Sequence, residues 1–193
     1  MMPNSEKHQH FKLYKPYGYL SQFINNQSKR RNKKLLGNLY DFPENVMAIG
    51  RLDEKSEGLI LLTTDGKMSE YIRSSQIEKE YYVMVDGVIT SEAIEKLKQG
   101  VEISVDGNPY LSKAFKVSYF EIPPKVPERF VRDEKHGPTS WLSITLTEGK
   151  FRQVRKMTSA IGFPTLRLVR VRIGGFKLEH MQPGEMEQIA TIL

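Results

Sequence analysis

The sequence predicts an α+β protein with a large, mixed or mainly antiparallel β-sheet and a few helices packed against one side of it. Segments of alternating polarity, rich in β-branched and aromatic residues, outnumber the helical segments. The links between them are short and rich in turn residues, which favours antiparallel pairing of neighbouring strands. The chain has 193 residues, of which 39% are hydrophobic and 27% charged, so it can bury a core. We predict a flexible N-terminus at residues 1–10 and one domain at residues 11–193, formed by two sub-lobes around a cleft.

The elements follow from local patterns along the chain. The predicted strands are residues 10–23 (with a turn at 15–18), 46–49, 58–64, 79–89, 101–110 (with a turn), 112–122, 140–150 and 164–178 (with a turn). The predicted helices are a short one within 35–42, then 67–75, 91–99 and 150–161; the Asp65-Gly66 turn precedes the second, and Gly100 ends the third. Polar residues 25–34 and the proline-rich stretch 122–138 predict irregular connections.

Several classes of protein are excluded by composition. No apolar run reaches 18 residues and the first ten residues are polar, so the sequence predicts neither a membrane span nor a signal peptide. The chain has no cysteine, and its four histidines (His8, His10, His136, His180) are scattered, so we expect no metal site. The absence of cysteine fits a reducing cytoplasm.

The charge distribution points to a polyanion as partner. The formal net charge is +6 and the pI is about 9.4. One basic cluster, at residues 28–34, contains Lys29, Arg30, Arg31, Lys33 and Lys34. A second run, from residue 149 to 178, contains no acidic residue and eight cations: Lys150, Arg152, Arg155, Lys156, Arg167, Arg170, Arg172 and Lys177. Either run alone could be a solvated face or a loop, but together they favour RNA or DNA.

The helix predicted at residues 150–161 carries a candidate site residue, Arg155. At 100° per residue, one buried face would contain Phe151, Val154, Met157, Thr158 and Ile161. Arg155 falls at the edge of that face, whereas Arg152 and Lys156 point away from it. Because the helix has no acidic residue, Arg155 needs an anion from elsewhere. RNA phosphate, a carboxylate such as Asp53, or an ordinary interior ion pair would all serve.

A compact charged segment, "GRLD" at residues 50–53, holds the candidate nucleophile. Gly50 allows a sharp exit from the preceding strand. Leu52 is predicted to point into the core, which puts Arg51 and Asp53 on the other side. A partly desolvated carboxylate that an arginine keeps ionised can act as a nucleophile. By spacing alone, an aspartate that caps a turn explains Asp53 equally well. In "KEYYV", Tyr81 or Tyr82 would face the same site and offer a stacking surface, although sheet packing is the commoner role of strand tyrosines.

Taken in order, these segments resemble the pseudouridine synthases that modify ribosomal RNA. The matching stretches are "KPYG" (15–18), "GRLDEKSEGLILLTTDG" (50–66), "KEYYV" (79–83), "LTEGKFRQVRKM" (146–157) and "GFPTLRLVRVRIGG" (162–175). The resemblance spans about residues 11–184. Within that family, the stretch from residue 138 to 170 is most similar to the E-type large-subunit enzymes.

The resemblance implies both an activity and site residues. Asp53 corresponds to the catalytic aspartate, Tyr81 to the active-site tyrosine, and Arg155 to the arginine that pairs with the aspartate. Members of the family convert a uridine in RNA to its C-glycoside isomer without cofactor or metal, after flipping the base out. Attack by Asp53 on the uracil ring and attack on the ribose carbon both remain open.

The resemblance also implies how the substrate is held. Small-subunit-type relatives begin with a separate basic RNA-binding domain, and we expect none here, because only about ten residues precede the first predicted strand. RNA binding should then depend on the catalytic domain. The candidate RNA-binding residues are Arg51, Lys79, Lys29, Arg30, Arg31, Lys33, Lys34, Arg152, Lys156 and Arg170. We expect a monomer in the cytoplasm that binds ribosomal RNA, of the large subunit by the E-type likeness, and no membrane.

The sequence also allows other interpretations of the function. A non-catalytic protein that binds ribosomal RNA or assists ribosome assembly would show the same basic clusters, but would not need Asp53 and its partners. A pseudouridine synthase acting on another RNA is also possible. A glycosidase could use Glu54 or Glu57 as its second carboxylate, but a basic surface does not suit a neutral sugar.

Overall fold

The computed structural model describes residues 7–25, 32–74 and 76–192. The chain divides into two compact units, Met1–Ser75 with His180–Leu193 (the first unit) and Gln76–Glu179 (the second unit). The strands are β1 His10–Lys15, β2 Tyr19–Leu20, β3 Lys34–Leu35, β4 Met47–Ile49, β5 Glu57–Thr63, β6 Lys79–Asp86, β7 Val101–Val105, β8 Asn108–Ser112, β9 Lys116–Phe120, β10 Thr139–Leu146, β11 Thr165–Ile173, β12 Phe176–Lys177 and β13 Met186–Ile189. The α-helices are α1 Gly66–Ser74, α2 Ser91–Gln99 and α3 Gln153–Ala160. The predicted α+β class with mainly antiparallel strands is confirmed.

The first unit is built around β1 and β5. Strand β1 pairs antiparallel with β13 and with β5, and β4 adds to β5. Every residue of β1 and β5 is buried, as expected of central strands covered on both faces. Side chains of these two strands form a hydrophobic core cluster with Leu36; the cluster contains Phe11, Leu13, Leu36, Ile60 and Leu62. His10, the last residue of the N-terminal segment that was predicted to be flexible, pairs with Thr63. Residues 1–6 lie outside the described part of the chain.

Helix α1 begins at Gly66, directly after Asp65. The Asp65 carboxylate accepts hydrogen bonds from the backbone N–H groups of Lys67 and Met68 at 2.9 and 3.2 Å. These bonds, that of Met68 above all, lower the pKa of Asp65. The turn residue of the sequence prediction is therefore the N-terminal cap of the helix.

The second unit contains the antiparallel order β11–β6–β10–β9, with β12 beside β11. Strands β7 and β8 form a separate hairpin. Its turn residues, Asp106 and Gly107, have φ angles of 49° and 82°, which suits the two-residue turn of a twisted hairpin. Helix α2 has the predicted bounds, with Thr90 accepting from the Ala93 N–H at its start and Gly100 at its end with φ 120°.

Three sequence predictions need correction. The helix expected within residues 35–42 is a single 3₁₀ turn, Leu36–Asn38, because Leu35 still pairs with Leu20 as part of β3 and the Asn38 side chain accepts from the Leu35 N–H at 2.8 Å. The helix expected at 150–161 begins only at Gln153, since Arg152 has a left-handed conformation with φ 52°. Phe151 therefore does not lie on the buried helix face, and its side chain is 68% exposed. Strand β13 was not predicted.

Within the described residues, none of the helices has the length and apolarity needed to cross a bilayer.

Candidate active site

Asp53 lies in the turn between β4 and β5. Gly50 leaves β4 with φ 73°, a conformation that a side chain would oppose. Leu52 is buried at 7% exposure, as predicted, whereas Arg51 is exposed and Asp53 is half-buried. The Ser56 N–H donates to the Asp53 carbonyl at 3.0 Å and closes the turn. Asp53 is thus presented by a compact turn that Leu52 anchors in the core.

Ser21 holds this turn from a distant part of the sequence. Its Oγ accepts a hydrogen bond from the Leu52 N–H at 2.9 Å and donates to the Leu52 carbonyl at 2.8 Å. Both backbone groups of the residue before Asp53 are therefore satisfied by one hydroxyl. Sequence reasoning missed Ser21, because no local pattern connects a serine in one loop with a leucine thirty-one residues later.

The "KPYG" stretch supports the same turn. Gly18 has φ 83°, and its N–H donates to the Glu54 carbonyl at 2.8 Å. Lys15 is fully buried, and its ammonium donates to the carbonyls of Pro16 and Tyr19 at 3.0 and 2.6 Å. A buried ammonium requires such acceptors. Lys15 therefore shapes the turn that contacts the Asp53 loop.

Two of the carboxylates near Asp53 are already engaged. Glu57 is buried at 2% exposure and accepts a hydrogen bond from the Tyr14 hydroxyl at 3.3 Å. Glu54 is bound by the Lys33 ammonium at 2.7 Å. These contacts give Glu54 and Glu57 structural partners.

The second unit holds Tyr81 and Arg155. Tyr81 is 8% exposed on β6, and its cross-strand neighbours are Ile144 on β10 and Arg170 on β11. Tyr82 faces the other way and packs edge-to-face on Phe120, with ring centroids 4.9 Å apart. Of the two candidate tyrosines, Tyr82 is thus used for sheet packing.

Lys79 and Arg170 form a cationic pair near Tyr81. Lys79 is half-buried, and burial lowers the pKa of its ammonium. The positive charge of Arg170, which is 4% exposed, lowers that pKa further. A lysine with a lowered pKa at a partly buried position is a candidate functional group.

Arg155 lies half-buried on α3, at the edge of its buried face as predicted. Its Nη1 lies 3.5 Å from the Thr165 carbonyl at the start of β11. The hydroxyls of Thr158 and Thr165 are 2.7 Å apart and join the same helix and strand. Asp53 belongs to the first unit, whereas Tyr81 and Arg155 belong to the second.

The cations of the basic run at residues 149–178 do not form one exposed face. Arg167 is 3% exposed and donates to the Pro127 carbonyl at 2.7 Å. Arg170 is buried as well. Arg172 donates to Glu78 at 2.8 Å and to Glu80 at 3.0 Å. These three cations lie on β11, on which four consecutive residues, from Arg167 to Arg170, are buried.

The other candidate RNA-binding residues differ in exposure. Arg51, Lys33, Lys34 and Arg152 are exposed. Lys156 is half-buried, and its ammonium donates to the Ser104 carbonyl at 2.6 Å. Lys29, Arg30 and Arg31 lie outside the described residues.

Comparison with known proteins assigns the family. The family described as RNA pseudouridylate synthase matches residues 9–160. The chain belongs to this family. Ribosomal large subunit pseudouridine synthase E of Vibrio vulnificus (strain CMCP6) is 43% identical over 180 residues, covering 91% of this chain and 73% of that protein. The protein of the same name from Xanthomonas axonopodis pv. citri (strain 306) is 39% identical over 184 residues, covering 93% of each chain. A crystal structure of a pseudouridylate synthase has a TM-score of 0.72 at 25% identity, covering 95% of this chain and 71% of that one.

Membership identifies this pseudouridylate synthase as an isomerase that acts on uridine in RNA, and not as a glycosidase. The reaction needs a group that can break and remake a glycosidic bond at one carbon. A carboxylate on a rigid, partly buried turn, such as that of Asp53, has the chemistry of a nucleophile. Among the residues that the structure describes, no cluster of three or more His, Asp or Glu side chains could hold a metal ion.

Proposed function

We propose that this pseudouridine synthase modifies a uridine of large-subunit ribosomal RNA, with Asp53 as the nucleophile. The substrate class is supported by the two relatives that carry this activity in their names and match over 91% and 93% of the chain. The role of Asp53 is supported by its position. It is a half-buried residue of a turn whose backbone is held by Ser21 and Gly18, and the Glu54 carboxylate beside it is bound by Lys33.

In the proposed reaction, the target uridine is flipped out of its stack, and the Asp53 carboxylate attacks either the uracil ring or the ribose C1′. On either route the N1–C1′ bond breaks, the uracil turns, a C5–C1′ bond forms, and the bond between Asp53 and the substrate breaks again, which restores the free carboxylate. C5 loses its proton to water and N1 takes one up from water, so the product has the same atoms as the substrate apart from that exchange. No oxidant, metal or cofactor is needed for this balance.

The other two roles follow the resemblance. We assign Tyr81 as the aromatic surface against which the base rests, since a planar base stacks well on a ring. We assign Arg155 as the residue that pairs with the Asp53 carboxylate. A ribosomal RNA substrate implies a cytoplasmic enzyme, and a monomer remains our expectation.

The test uses unmodified large-subunit ribosomal RNA with tritium at C5 of uridine, because bond formation at C5 releases the label into water. The Asp53→Asn variant keeps the shape of the side chain and removes its charge. We expect it to release no tritium above background while it binds the RNA within a few-fold of the wild type. Asp41→Asn, which changes an exposed aspartate of the same unit, is the matched control and should turn over normally.

Near-normal release by Asp53→Asn would show that another group is the nucleophile. Tritium release from a different RNA, and not from this one, would support the activity and show that the proposed substrate is wrong. Tight binding without release from naked RNA, from pre-ribosomal particles or from other RNAs would favour the non-catalytic binder. The double variant Asp53→Asn/Arg155→Ala tests the assigned partnership. If the two residues act together, the double variant should lose less activity than the product of the losses in the two single variants.

A further inference from the structure

Phe151 lies in an unusual setting for a large apolar side chain. It is 68% exposed, although the sequence pattern placed it on a buried face. Its position follows from Arg152, which has φ 52° and delays the start of α3 to Gln153. Non-glycine residues adopt that conformation uncommonly, and they persist in it where the surroundings enforce it. The backbone of the turn formed by Lys150, Phe151 and Arg152, here called the 150–152 turn, therefore keeps these three side chains exposed.

Buried hydrogen bonds hold the 150–152 turn in place. Gln153 is 3% exposed, and its side-chain oxygen accepts from the Lys150 N–H at 2.9 Å. Its Nε2 donates to the Ser112 hydroxyl at 2.8 Å and to Glu148 at 2.5 Å. Glu148 also accepts from the Tyr110 hydroxyl at 2.6 Å. Phe151 thus extends from a rigid base, which limits the entropy that would be lost on binding a partner.

One cation lies over the exposed ring, and three more are close to it in the sequence. The Lys156 ammonium lies 5.4 Å from the centroid of the Phe151 ring, and it is fixed there by its hydrogen bond to the Ser104 carbonyl. Lys150 lies over the Tyr110 ring at 5.2 Å. Between residues 146 and 161 there are four cations and a single carboxylate, that of Glu148. An exposed aromatic ring among lysines and arginines is the arrangement by which proteins bind single-stranded RNA.

We infer that Phe151 stacks on an unpaired nucleobase of the substrate RNA, while Lys150 and Arg152 bind the adjoining phosphates. This inference rests on the proposed function and adds a substrate-binding residue to it. One face of the ring has the Lys156 ammonium over it, and a base on the open part of the ring completes a cation–ring–base stack. A stack of this kind does not select a base, because every base has a π-face, so Phe151 contributes affinity and position and not sequence choice.

The kinetic test compares variants in the tritium-release assay on in-vitro transcribed large-subunit ribosomal RNA. Phe151→Ala should raise KM by about 5- to 100-fold, the range expected for losing one base stack, and should change KM more than kcat. Phe151→Tyr keeps a ring and should restore KM, whereas Phe151→Leu keeps apolar bulk and should not. Phe115→Ala is the matched control, since Phe115 is 65% exposed in the same unit, and its KM should equal that of the wild type. A KM unchanged in Phe151→Ala, or equally restored by leucine, would overturn the inference.

A second measurement does not depend on turnover. The chain has a single tryptophan, Trp141, which is 7% exposed, so a tryptophan in place of Phe151 would add an exposed emitter. The transcript should quench the added fluorescence in Phe151→Trp and should leave that of Phe115→Trp unchanged. Equal quenching in both variants, or none in Phe151→Trp under conditions where the RNA binds, would refute stacking at Phe151. If the wild type releases no tritium from this RNA, the proposal on the substrate is wrong. The fluorescence quenching then still tests whether Phe151 stacks on a base, because it does not depend on turnover.

Discussion

The Ser21 hydroxyl is the contact whose removal tests most directly how the turn of Asp53 is positioned. Ser21→Ala deletes a single oxygen that accepts from the Leu52 N–H at 2.9 Å and donates to the Leu52 carbonyl at 2.8 Å. Leu52 precedes Asp53 and is 7% exposed. The substitution leaves its side chain in the core and removes the restraint on its backbone.

The expected loss can be worked from these two bonds. A typical hydrogen bond contributes about 1 kcal/mol net, and a buried group left unsatisfied costs about 1–3 kcal/mol. Because Ser21 is half-buried, water can reach part of the vacated space. We therefore expect the free energy of unfolding to fall by about 2 kcal/mol, which corresponds to a Tm lower by about 4–8 °C in a chain of this size. A turn that shifts by about 1 Å can cost up to about 100-fold in rate, so kcat should fall by about 10- to 100-fold.

The assay measures both quantities on the same preparations. Urea unfolding gives the free energy, and tritium release at saturating RNA, well below the lowered Tm, gives kcat of the folded enzyme. Ser21→Thr keeps the hydroxyl and should recover most of both. Ser74→Ala removes an exposed hydroxyl that donates to the Tyr71 carbonyl at 3.1 Å, and it should change neither.

Two results would contradict this reasoning. If Ser21→Ala loses stability but keeps its kcat, the hydroxyl supports the fold without positioning Asp53. If neither quantity changes, the two hydrogen bonds contribute nothing measurable.

Two further predictions concern the fold of each unit. In Gly37→Ala, the new Cβ would lie 2.1 Å from the backbone oxygen of Phe23, so we expect the free energy of unfolding in urea to fall by about 1–3 kcal/mol. Gly66→Ala is the control, since its Cβ meets nothing within 4 Å, and it should be neutral or stabilising. Equal stabilities of the two variants would contradict the contact at Gly37. At Glu80, burial raises the pKa, but hydrogen bonds from Ser143 and Arg172 outweigh it and leave the pKa below the ordinary value. This carboxylate therefore stabilises the fold above about pH 4.3, and the stabilisation is lost as the pH falls through its lowered pKa. Urea midpoints measured from pH 7 to 3 should fall less steeply in Glu80→Gln than in the wild type, and parallel profiles would disprove the coupling.

Local signals predicted the elements whose ends depend on nearby residues. Helix α2 was placed with its exact bounds because Thr90 caps its start and Gly100 ends it. Strands β4, β5, β6 and β10 were recognised from runs of apolar or alternating residues. Strand β13 was missed, since its four residues show no alternation and depend on pairing with β1, which is remote in sequence.

Two features of residues 149–178 could not be predicted from the sequence. The helical wheel assumed that helical geometry begins at residue 150, whereas Arg152 has a left-handed conformation and the helix begins at Gln153. The count of cations does not show which of them the strand β11 buries, and Arg167 and Arg170 are buried there. A pattern predicts which residues share a face only where the backbone conformation is already known.

The charged turn after β4 illustrates what a family motif contains. Of its carboxylates, Glu57 binds Tyr14 and Glu54 binds Lys33, so both have a structural task. The turn that presents Asp53 is held by Ser21 and Gly18, which precede it by about thirty residues. A site that needs a carboxylate at a fixed position also needs partners that are themselves fixed. Asp53 could therefore be proposed as the nucleophile from the sequence through resemblance, whereas Ser21, which holds the backbone of Leu52, required the structure.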